Sequence, residues 1–353
     1  MRTPPRRRRD RGFTLVELMV AITLGLFLMI GLISLIVSTV NARAELDKTS
    51  RRVDNGRYAL ELLSEDVQAA GFIGSTGGTA FNLVTPVACP ANIPSLGYSG
   101  TASPTISSVP MPIYGPTTVP ACINNVMPGT AMLVVTRVST TALPPASATA
   151  TETYLQMSTC ASDTVPFAIA SGASAATFTL MTKTCLASAL APVRKVIQHL
   201  YYVSTCNVCG TDSTPTLKMA EYVGGAMTIT ALAEGIENFQ VDYGIDIDGN
   251  GAPDCYTSNP TSPPPAEIAL AVCPQTSPPY DWTIGANNWG NVMALRIHLL
   301  ARNIEPTSGW SDQKTYDMGM AVPVVGPFND QIKRQAYSVV ARLYNASGQR
   351  ETP

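Results

Sequence analysis

The chain has 353 residues, with 23 Lys and Arg, 25 Asp and Glu, 2 His and a formal net charge of -2. Charged residues make up 14% of the chain, against roughly 25% in typical soluble domains. This composition excludes the dense basic surface that nucleic-acid binding requires, and two histidines leave little room for His-based catalysis. The composition favours an exported, loop-rich protein without enzymatic activity.

Basic residues are concentrated at the amino terminus. Residues 1–12, MRTPPRRRRDRG, hold six Arg and one Asp. Blocks of like charge at a chain end are usually solvated. Residues 1–12 therefore predict a basic leader peptide.

The interval from 13 to 40 is strongly apolar, and Glu17 is its one charged residue. A helix of about 20 apolar residues crosses a bilayer, whereas a cleaved secretory signal has an apolar region of about 7–15 residues and a small-residue cleavage site. The interval therefore predicts a transmembrane helix. The Arg residues before it predict a cytoplasmic amino terminus and an exported remainder.

Glu17 lies within this apolar interval, where a carboxylate is costly and by default marks a function. The alternative is an acid that snorkels to the cytoplasmic edge of the bilayer. The string Gly12-Phe13-Thr14-Leu15-Val16-Glu17 stands between a basic leader and a long apolar helix. It resembles the class III signal of type IV prepilins and type II secretion pseudopilins.

This resemblance implies a processing pathway. A prepilin peptidase would cut between Gly12 and Phe13 on the cytoplasmic side, and the new amine of Phe13 would be methylated. Glu17 would then pair with the amino-terminal amine of a neighbouring subunit as the chain leaves the bilayer, because an opposite charge relieves the cost of a carboxylate in lipid.

The helix is expected to continue beyond the membrane, with residues 41–71 forming an amphipathic half. Apolar residues recur at helical spacing on one face: Leu46, Val53, Leu60, Leu63 and Val67. Gly71 is a plausible C′ residue. The pattern predicts one helix from about 14 to 70.

Residues 72–353 are expected to form an exported, disulfide-braced, β-rich head. Strands are predicted from β-prone runs separated by turn residues at 131–138, 177–181, 196–203, 217–223, 239–243, 292–302 and 336–344. The Pro- and Ser-rich interval 255–281 predicts a surface loop. The expected fold class is α+β and pilin-like, with a long amino-terminal helix, half of it transmembrane, packed on an antiparallel β-sheet head with long loops.

A second resemblance concerns the head. Residues 231–243, ALAEGIENFQVDY, precede an acidic turn and a late strand around LRIHLLARN. This order resembles the PilW family of minor pilins, which is similar to the J-type pseudopilin of type II secretion. The interval 72–190 carries no such resemblance.

The PilW resemblance implies a function in pilus assembly. The protein would prime the filament with other minor pilins and the major pilin, near the pilus tip, after processing by a prepilin peptidase and methyltransferase. It would first reside in the inner membrane, with its head in the periplasm, and then in the extracellular pilus.

Three other functions stay open at this stage. One is a J-type pseudopilin of a type II secretion system, and another is a membrane-anchored calcium-dependent adhesin. A membrane-tethered enzyme is the third, but the sequence contains no G-x-S-x-G, H-E-x-x-H or phosphate-binding loop. His199 and His298 lie in apolar strand patterns, which favours structural or surface positions over ligand roles.

Eight cysteines follow the predicted membrane helix, and an even number in an oxidising compartment predicts disulfides. Among about 105 possible pairings, bonds between sequence neighbours are expected: Cys89–Cys122, Cys160–Cys185, Cys206–Cys209 and Cys255–Cys273. For Cys206 and Cys209, the C-x-x-C spacing has an alternative interpretation, namely a redox motif or half of a zinc site.

The acidic turn has the spacing of a calcium loop. Its candidate ligands follow the first nine positions of an EF-hand-like loop: Asp246, Asp248, Asn250, the carbonyl of Ala252, and Asp254. Thr257 stands where the bidentate Glu of an EF-hand would be. A turn with solvated acids is the alternative, so the sequence predicts either calcium as a cofactor or none.

Overall fold

The computed structural model describes residues 12, 14–75, 81–100 and 107–351. The fold is α+β, as predicted: a long amino-terminal helix precedes mainly antiparallel sheets, and the described residues form no closed barrel. The chain divides into two compact units, residues 1–50 and 51–353.

The first helix, α1, spans Leu15–Ala69, 55 residues, which confirms the predicted helix. Gly71 adopts a left-handed φ of +73°, a conformation that glycine adopts without steric cost, and it ends the helix where the sequence predicts. Within the described part of the chain, α1 is the one helix long and apolar enough to cross a membrane.

The buried face of α1 differs from the predicted stripe. Leu63 and Val67 are buried as expected, but Val53 and Leu60 are only half-buried and Leu46 is exposed. The other buried positions of α1 are Gly56, Ala59, Ser64 and Asp66. Several of these side chains are small, so the helix backbone packs closely on the head.

The remaining elements lie in the head. The strands are β1 Asn82–Val84, β2 Ser108–Pro110, β3 Ile113–Tyr114, β4 Leu133–Val138, β5 Thr153–Met157, β6 Phe167–Ser171, β7 Val193–Ser204, β8 Thr216–Val223, β9 Ala226–Glu234, β10 Ile236–Ile245, β11 Cys255–Thr257, β12 Val292–Arg302 and β13 Arg334–Arg342. Two short α-helices are α2 Gly285–Gly290 and α3 Tyr344–Ser347, and 3₁₀ turns occur at Ile93–Leu96, Pro145–Ser147 and Gly172–Thr177.

Two antiparallel sheets carry the head. The seven-stranded sheet has the order β3-β4-β7-β5-β6, with β8 also paired to β7, and β9 paired to β8. The four-stranded sheet has the order β11-β10-β12-β13. Strands β1 and β2 form a separate short parallel pair.

One apolar core joins α1 to both sheets. It contains Ala59 and Leu63 from α1, Tyr201 from β7, Phe239 from β10 and Leu295 from β12. Burying a leucine or phenylalanine side chain contributes roughly 1.5–3 kcal/mol. The part of α1 after residue 50 is therefore an element of the head's core.

Most predicted strands overlap a strand of the structure, but the prediction of a strand at 177–181 is wrong. The buried Gln156 side chain accepts a hydrogen bond from the Leu180 backbone N–H, and it donates to the carbonyls of Leu180 and Ala191. The Gln156 side chain thus makes hydrogen bonds that the backbone of a paired strand would otherwise make. The last strand ends at Arg342, two residues earlier than predicted, because the chain turns into α3.

Candidate functional site

The amino-terminal end of α1 forms a capping box between Thr14 and Glu17. The backbone N–H and the hydroxyl of Thr14 each donate to Oε2 of Glu17 at 3.1 Å, and the backbone N–H of Glu17 donates to the Thr14 hydroxyl at 3.3 Å. Such reciprocal bonds satisfy N–H groups that have no partner within the helix. The Glu17 carboxylate thus has a local role in the single chain.

Both capping residues are exposed, so an incoming amine can reach the Glu17 carboxylate. The T-x-x-E spacing is itself a helix-start signal, and reading it would have identified this second role of Glu17. Gly12 is exposed, whereas Phe13 lies outside the described residues. Cleavage after Gly12 and methylation of Phe13 stay predictions.

The presence of disulfides is confirmed. The structure joins the eight cysteines as Cys89–Cys122, Cys160–Cys185, Cys206–Cys209 and Cys255–Cys273, with Cα–Cα distances of 5.0 to 5.7 Å. Three of these bonds close segments with sequence separations of 33, 25 and 18, and the fourth spans a separation of 3. The three longer segments lie largely outside the two main sheets, so these bonds restrain loops.

The acidic loop after β10 brings three predicted calcium ligands together. Carboxylate oxygens of Asp246, Asp248 and Asp254 lie within 4.8 Å of one another. Oxygens that share one calcium ion at roughly 2.3–2.6 Å are separated by similar distances. The spacing of these three acids is therefore compatible with a shared calcium ion.

The loop is also organised by its own hydrogen bonds. Asp246 accepts backbone N–H bonds from Gly249, Asn250 and Gly251, and the side-chain oxygen of Asn250 accepts one from Ala252. Gly251 supplies the sharp turn with a φ of +85°. These bonds are those expected of the bare turn as well, so calcium stays a prediction at this site.

Arg350, close to the carboxyl end of the chain, partly neutralises the negative charge of the acidic loop. Its guanidinium lies 3.1 Å from Oδ2 of Asp246, and it also donates to Asn291 at 2.6 Å. Burial alone would raise the pKa of Asp246, but the Gly251 N–H and the Arg350 charge hold this pKa below its usual 3.8. The sequence pattern does not reveal this cation, because it lies about 100 residues from the loop.

The two histidines lie in buried hydrogen-bonded clusters. His199 contacts Asp66 of α1, and His298 lies 3.3 Å from Asp242 of β10. Each carboxylate accepts from further groups, among them Arg137 for Asp66 and the backbone N–H of Met320 for Asp242. These contacts are structural, in agreement with the positions of both histidines in apolar strand patterns.

The chain matches two family models. The model of the type IV pilus-assembly protein W, PilW, matches residues 200–345, and the model of the prokaryotic N-terminal methylation motif matches residues 7–33. The first match begins within β7 and extends into α3, so it covers the four-stranded sheet and the acidic loop. The chain matches no curated protein and no solved structure.

These matches support a pilin role, and the pilus-assembly context implies contacts with other pilus components. Pilin-family domains are structural rather than enzymatic. The match to the methylation motif extends into the apolar helix that is long enough to cross a membrane. The chain thus has the features of a membrane-anchored pilin, and its two matches are those of a PilW-like type IV pilin.

Proposed function

We propose that this chain is a minor pilin that helps to prime type IV pilus assembly and is located at or near the pilus tip. The observation that carries the proposal is the exposed Glu17 carboxylate at the start of a long apolar helix, joined to a head that matches PilW. The role is one of association, in which no substrate is turned over.

The precursor is held in the inner membrane by residues 13–40, with residues 1–12 in the cytoplasm and the head in the periplasm. The Arg residues of the leader support this orientation. Four disulfides in the head are consistent with an oxidising compartment. After cleavage and methylation by a prepilin peptidase, the mature chain joins other minor pilins and the major pilin.

Glu17 acts in this transfer by exchanging partners. In the single chain its carboxylate is bonded to Thr14. A neighbouring subunit's amino-terminal amine offers a full positive charge in a medium of low polarity, where such a pair is much stronger than in water. Exchange of the neutral cap for the charged partner favours the assembled state.

The first experiment is co-expression of the full chain with a prepilin peptidase, followed by intact mass measurement and amino-terminal sequencing. We expect a mature chain that begins at Phe13 and carries one additional methyl group. A chain that stays whole, or is cut well beyond Phe13, would contradict the pilin assignment.

A second experiment separates assembly from helix capping. Thr14→Ala removes the two hydroxyl bonds of the capping box and keeps the carboxylate, whereas Glu17→Ala removes both the carboxylate's bonds and its charge. We expect both variants to be processed, Thr14→Ala to enter pili, and Glu17→Ala to be lost from sheared pilus fractions by at least about tenfold. Equal incorporation of the two variants would contradict the role of Glu17.

Deletion of the gene separates the remaining alternatives. Loss of surface pili with normal protein secretion is expected of a minor pilin. Lost secretion with normal piliation would identify a J-type pseudopilin. Normal piliation together with lost calcium-dependent attachment would identify the adhesin.

A further inference from the structure

The turn that holds Cys206 and Cys209 differs from the other disulfide sites in its exposure. All eight cysteines lie in the described part of the chain, and among them Cys209 is the exposed one. Cys206 is only 6% exposed. An external thiol is therefore expected to approach this bond from the side of Cys209.

A buried cation contacts the sulfur of the exposed cysteine. Lys218 of β8 is only 8% exposed, and its ammonium donates to Sγ of Cys209 at 3.7 Å. Among the described residues this is its one hydrogen bond, and none lies within ion-pair distance of it. A disulfide sulfur is a weak acceptor, so the buried charge is poorly compensated.

The electrostatic situation changes when the bond is reduced. Cys209 then becomes a thiol or thiolate, and a neighbouring ammonium stabilises the thiolate. Burial lowers the pKa of Lys218, and the charge of Asp212 opposes this shift without reversing it, so the ammonium is only partly compensated in the disulfide state. Reduction therefore supplies an anion in direct contact with Lys218.

Two hydroxyl groups assist at the same turn. Oγ of Ser204 lies 3.6 Å from Sγ of Cys206 and 3.7 Å from Sγ of Cys209, and Oγ1 of Thr205 donates to Sγ of Cys206 at 3.8 Å. Each hydroxyl is a stronger partner for a thiolate than for a disulfide sulfur.

Asp212 holds the backbone between the two cysteines. Its carboxylate accepts the N–H groups of Asn207 at 2.8 Å and Val208 at 2.7 Å. These bonds do not involve either sulfur, so they are retained when the bond is reduced. The negative charge of Asp212 disfavours a nearby thiolate and also attracts the Lys218 ammonium, so of these two charges Lys218 is the one that favours the thiolate.

We propose that Cys206–Cys209 is a thiol-exchange site of the head, at which an external thiol forms a mixed disulfide with Cys209. An external thiolate attacks Sγ of Cys209, the Cys206–Cys209 bond breaks, and Cys206 leaves as a thiolate. A second external thiolate attacks the external sulfur of the mixed disulfide and releases Cys209 as a thiolate beside Lys218. Two external thiols are thereby oxidised to one disulfide, and the protein disulfide gains both electrons.

This exchange is expected to be selective for one bond of the four. A sequence separation of 3 gives the Cys206–Cys209 bond the smallest loop-closure contribution, whereas the other bonds span 18 to 33 positions. Lys218 stabilises the reduced state and therefore raises the reduction potential of the Cys206–Cys209 bond further. The other three bonds keep the head folded while the exchange takes place.

Selective reduction is tested on the full chain in detergent micelles with increasing dithiothreitol. Acid quenching, alkylation with N-ethylmaleimide and chymotryptic peptide mapping report the state of each bond. The chymotryptic peptide 203–217 carries both Cys206 and Cys209. We expect double alkylation of that peptide at a dithiothreitol concentration at least about tenfold below that needed for any other cysteine. Reduction of another bond first, or of all four together, would overturn the proposal.

The role of Lys218 is tested by Lys218→Met, which keeps most of the apolar stem and removes the charge. Lys183→Met is the matched control, because Lys183 is exposed and lies two residues from Cys185. In glutathione redox buffers we expect Lys218→Met to lower the equilibrium constant for reduction about tenfold, Lys218→Arg to restore most of it, and Lys183→Met to leave it unchanged. An unchanged constant in Lys218→Met would contradict the assignment.

The sulfur that is attacked is identified with a pair of variants that both lack the bond. Cys206→Ser leaves Cys209 as the free thiol, and Cys209→Ser leaves Cys206. With oxidised glutathione as the probe, we expect Cys206→Ser to form the mixed disulfide at least about tenfold faster than Cys209→Ser, because only Cys209 is exposed and lies beside the ammonium. Equal rates would show that Cys209 has no special reactivity.

Discussion

Asp66 of α1 and His199 of β7 are 133 positions apart in the sequence, yet Oδ2 of Asp66 lies 2.7 Å from Nδ1 of His199. The hydroxyl of Tyr201 donates to the same oxygen at 2.8 Å, and Nε of Arg137 donates to the other at 2.7 Å. The carboxylate is almost fully buried. One acid on α1 thus connects the helix to two strands of the seven-stranded sheet.

The variant Asp66→Asn is expected to destabilise the head by about 3 kcal/mol. The substitution keeps the shape but leaves Arg137 and His199 without their carboxylate, and removal of one partner of a buried pair costs roughly this amount. Denaturant unfolding of the full chain in detergent, followed by near-UV circular dichroism, measures the loss. The control is the exposed neighbour Glu65→Gln, with an expected change below about 0.5 kcal/mol. Equal effects of the two variants would show that the cluster contributes nothing.

The same carboxylate predicts a pH dependence. Burial alone would raise the pKa of Asp66, but its hydrogen bond to His199 and the charges of His199 and Arg137 hold it below the usual 3.8. As the pH falls through 3.8 the unfolded chain takes up the proton first, so the contribution of Asp66 is complete above this pH and is lost below it.

Measurement of the difference in unfolding free energy between wild type and Asp66→Asn tests this sign. Other titrating carboxylates, such as Asp330, are present in both proteins and cancel in the difference. We expect the difference to shrink as the pH is lowered through and below about 3.8. A difference that grows over this interval would disprove the assignment.

The sequence is informative where a periodic signal is strong. Helix α1 follows from its apolar run, and Gly71 marks its end. Strand β12, Val292–Arg302, is long and β-prone, and it was predicted with its observed bounds. Each of these signals lies within one continuous stretch of sequence, so it can be recognised without knowledge of the tertiary contacts.

Other features depend on contacts between distant parts of the chain. Strand β9, Ala226–Glu234, was missed because its alternation of apolar and polar residues is confined to residues 227–230, and as an edge strand it has exposed residues on both faces. The importance of Asp66 was missed because its partners come from β4 and β7. The Arg350 partner of the acidic loop was hidden for the same reason.

The close approach of α1 to β13 at Gly56 yields a further prediction. A methyl group added at Gly56 would lie 2.5 Å from Cε2 and 2.8 Å from Cζ of Tyr337. Replacing Gly by Ala in a helix gains about 1 kcal/mol of intrinsic propensity, but overpacking costs roughly 1–3 kcal/mol. We expect Gly56→Ala to destabilise the head by about 1 kcal/mol net in denaturant unfolding.

The control for this prediction is a double-mutant cycle with Tyr337→Leu, which removes the ring atoms in conflict. In that background Gly56→Ala should be neutral or stabilising, with a coupling energy of about 1–3 kcal/mol between the two sites. Additive effects would show that the ring does not limit position 56.

The acidic loop provides the last prediction, that calcium stabilises the head through Asp246, Asp248 and Asp254. Millimolar calcium should raise the thermal midpoint of the full chain in detergent by about 3–6 °C, because a ligand that binds only the folded state stabilises it.

The variant Asp248→Asn tests this prediction, because it removes one charge while keeping an oxygen to accept the Asn250 N–H. It should abolish most of the shift. Asp317→Asn, in a turn where Asp317 accepts the Gly319 N–H in the same manner, should retain it. Midpoints that do not respond to calcium, or respond equally in both variants, would identify the loop as a turn held by its own hydrogen bonds and by Arg350.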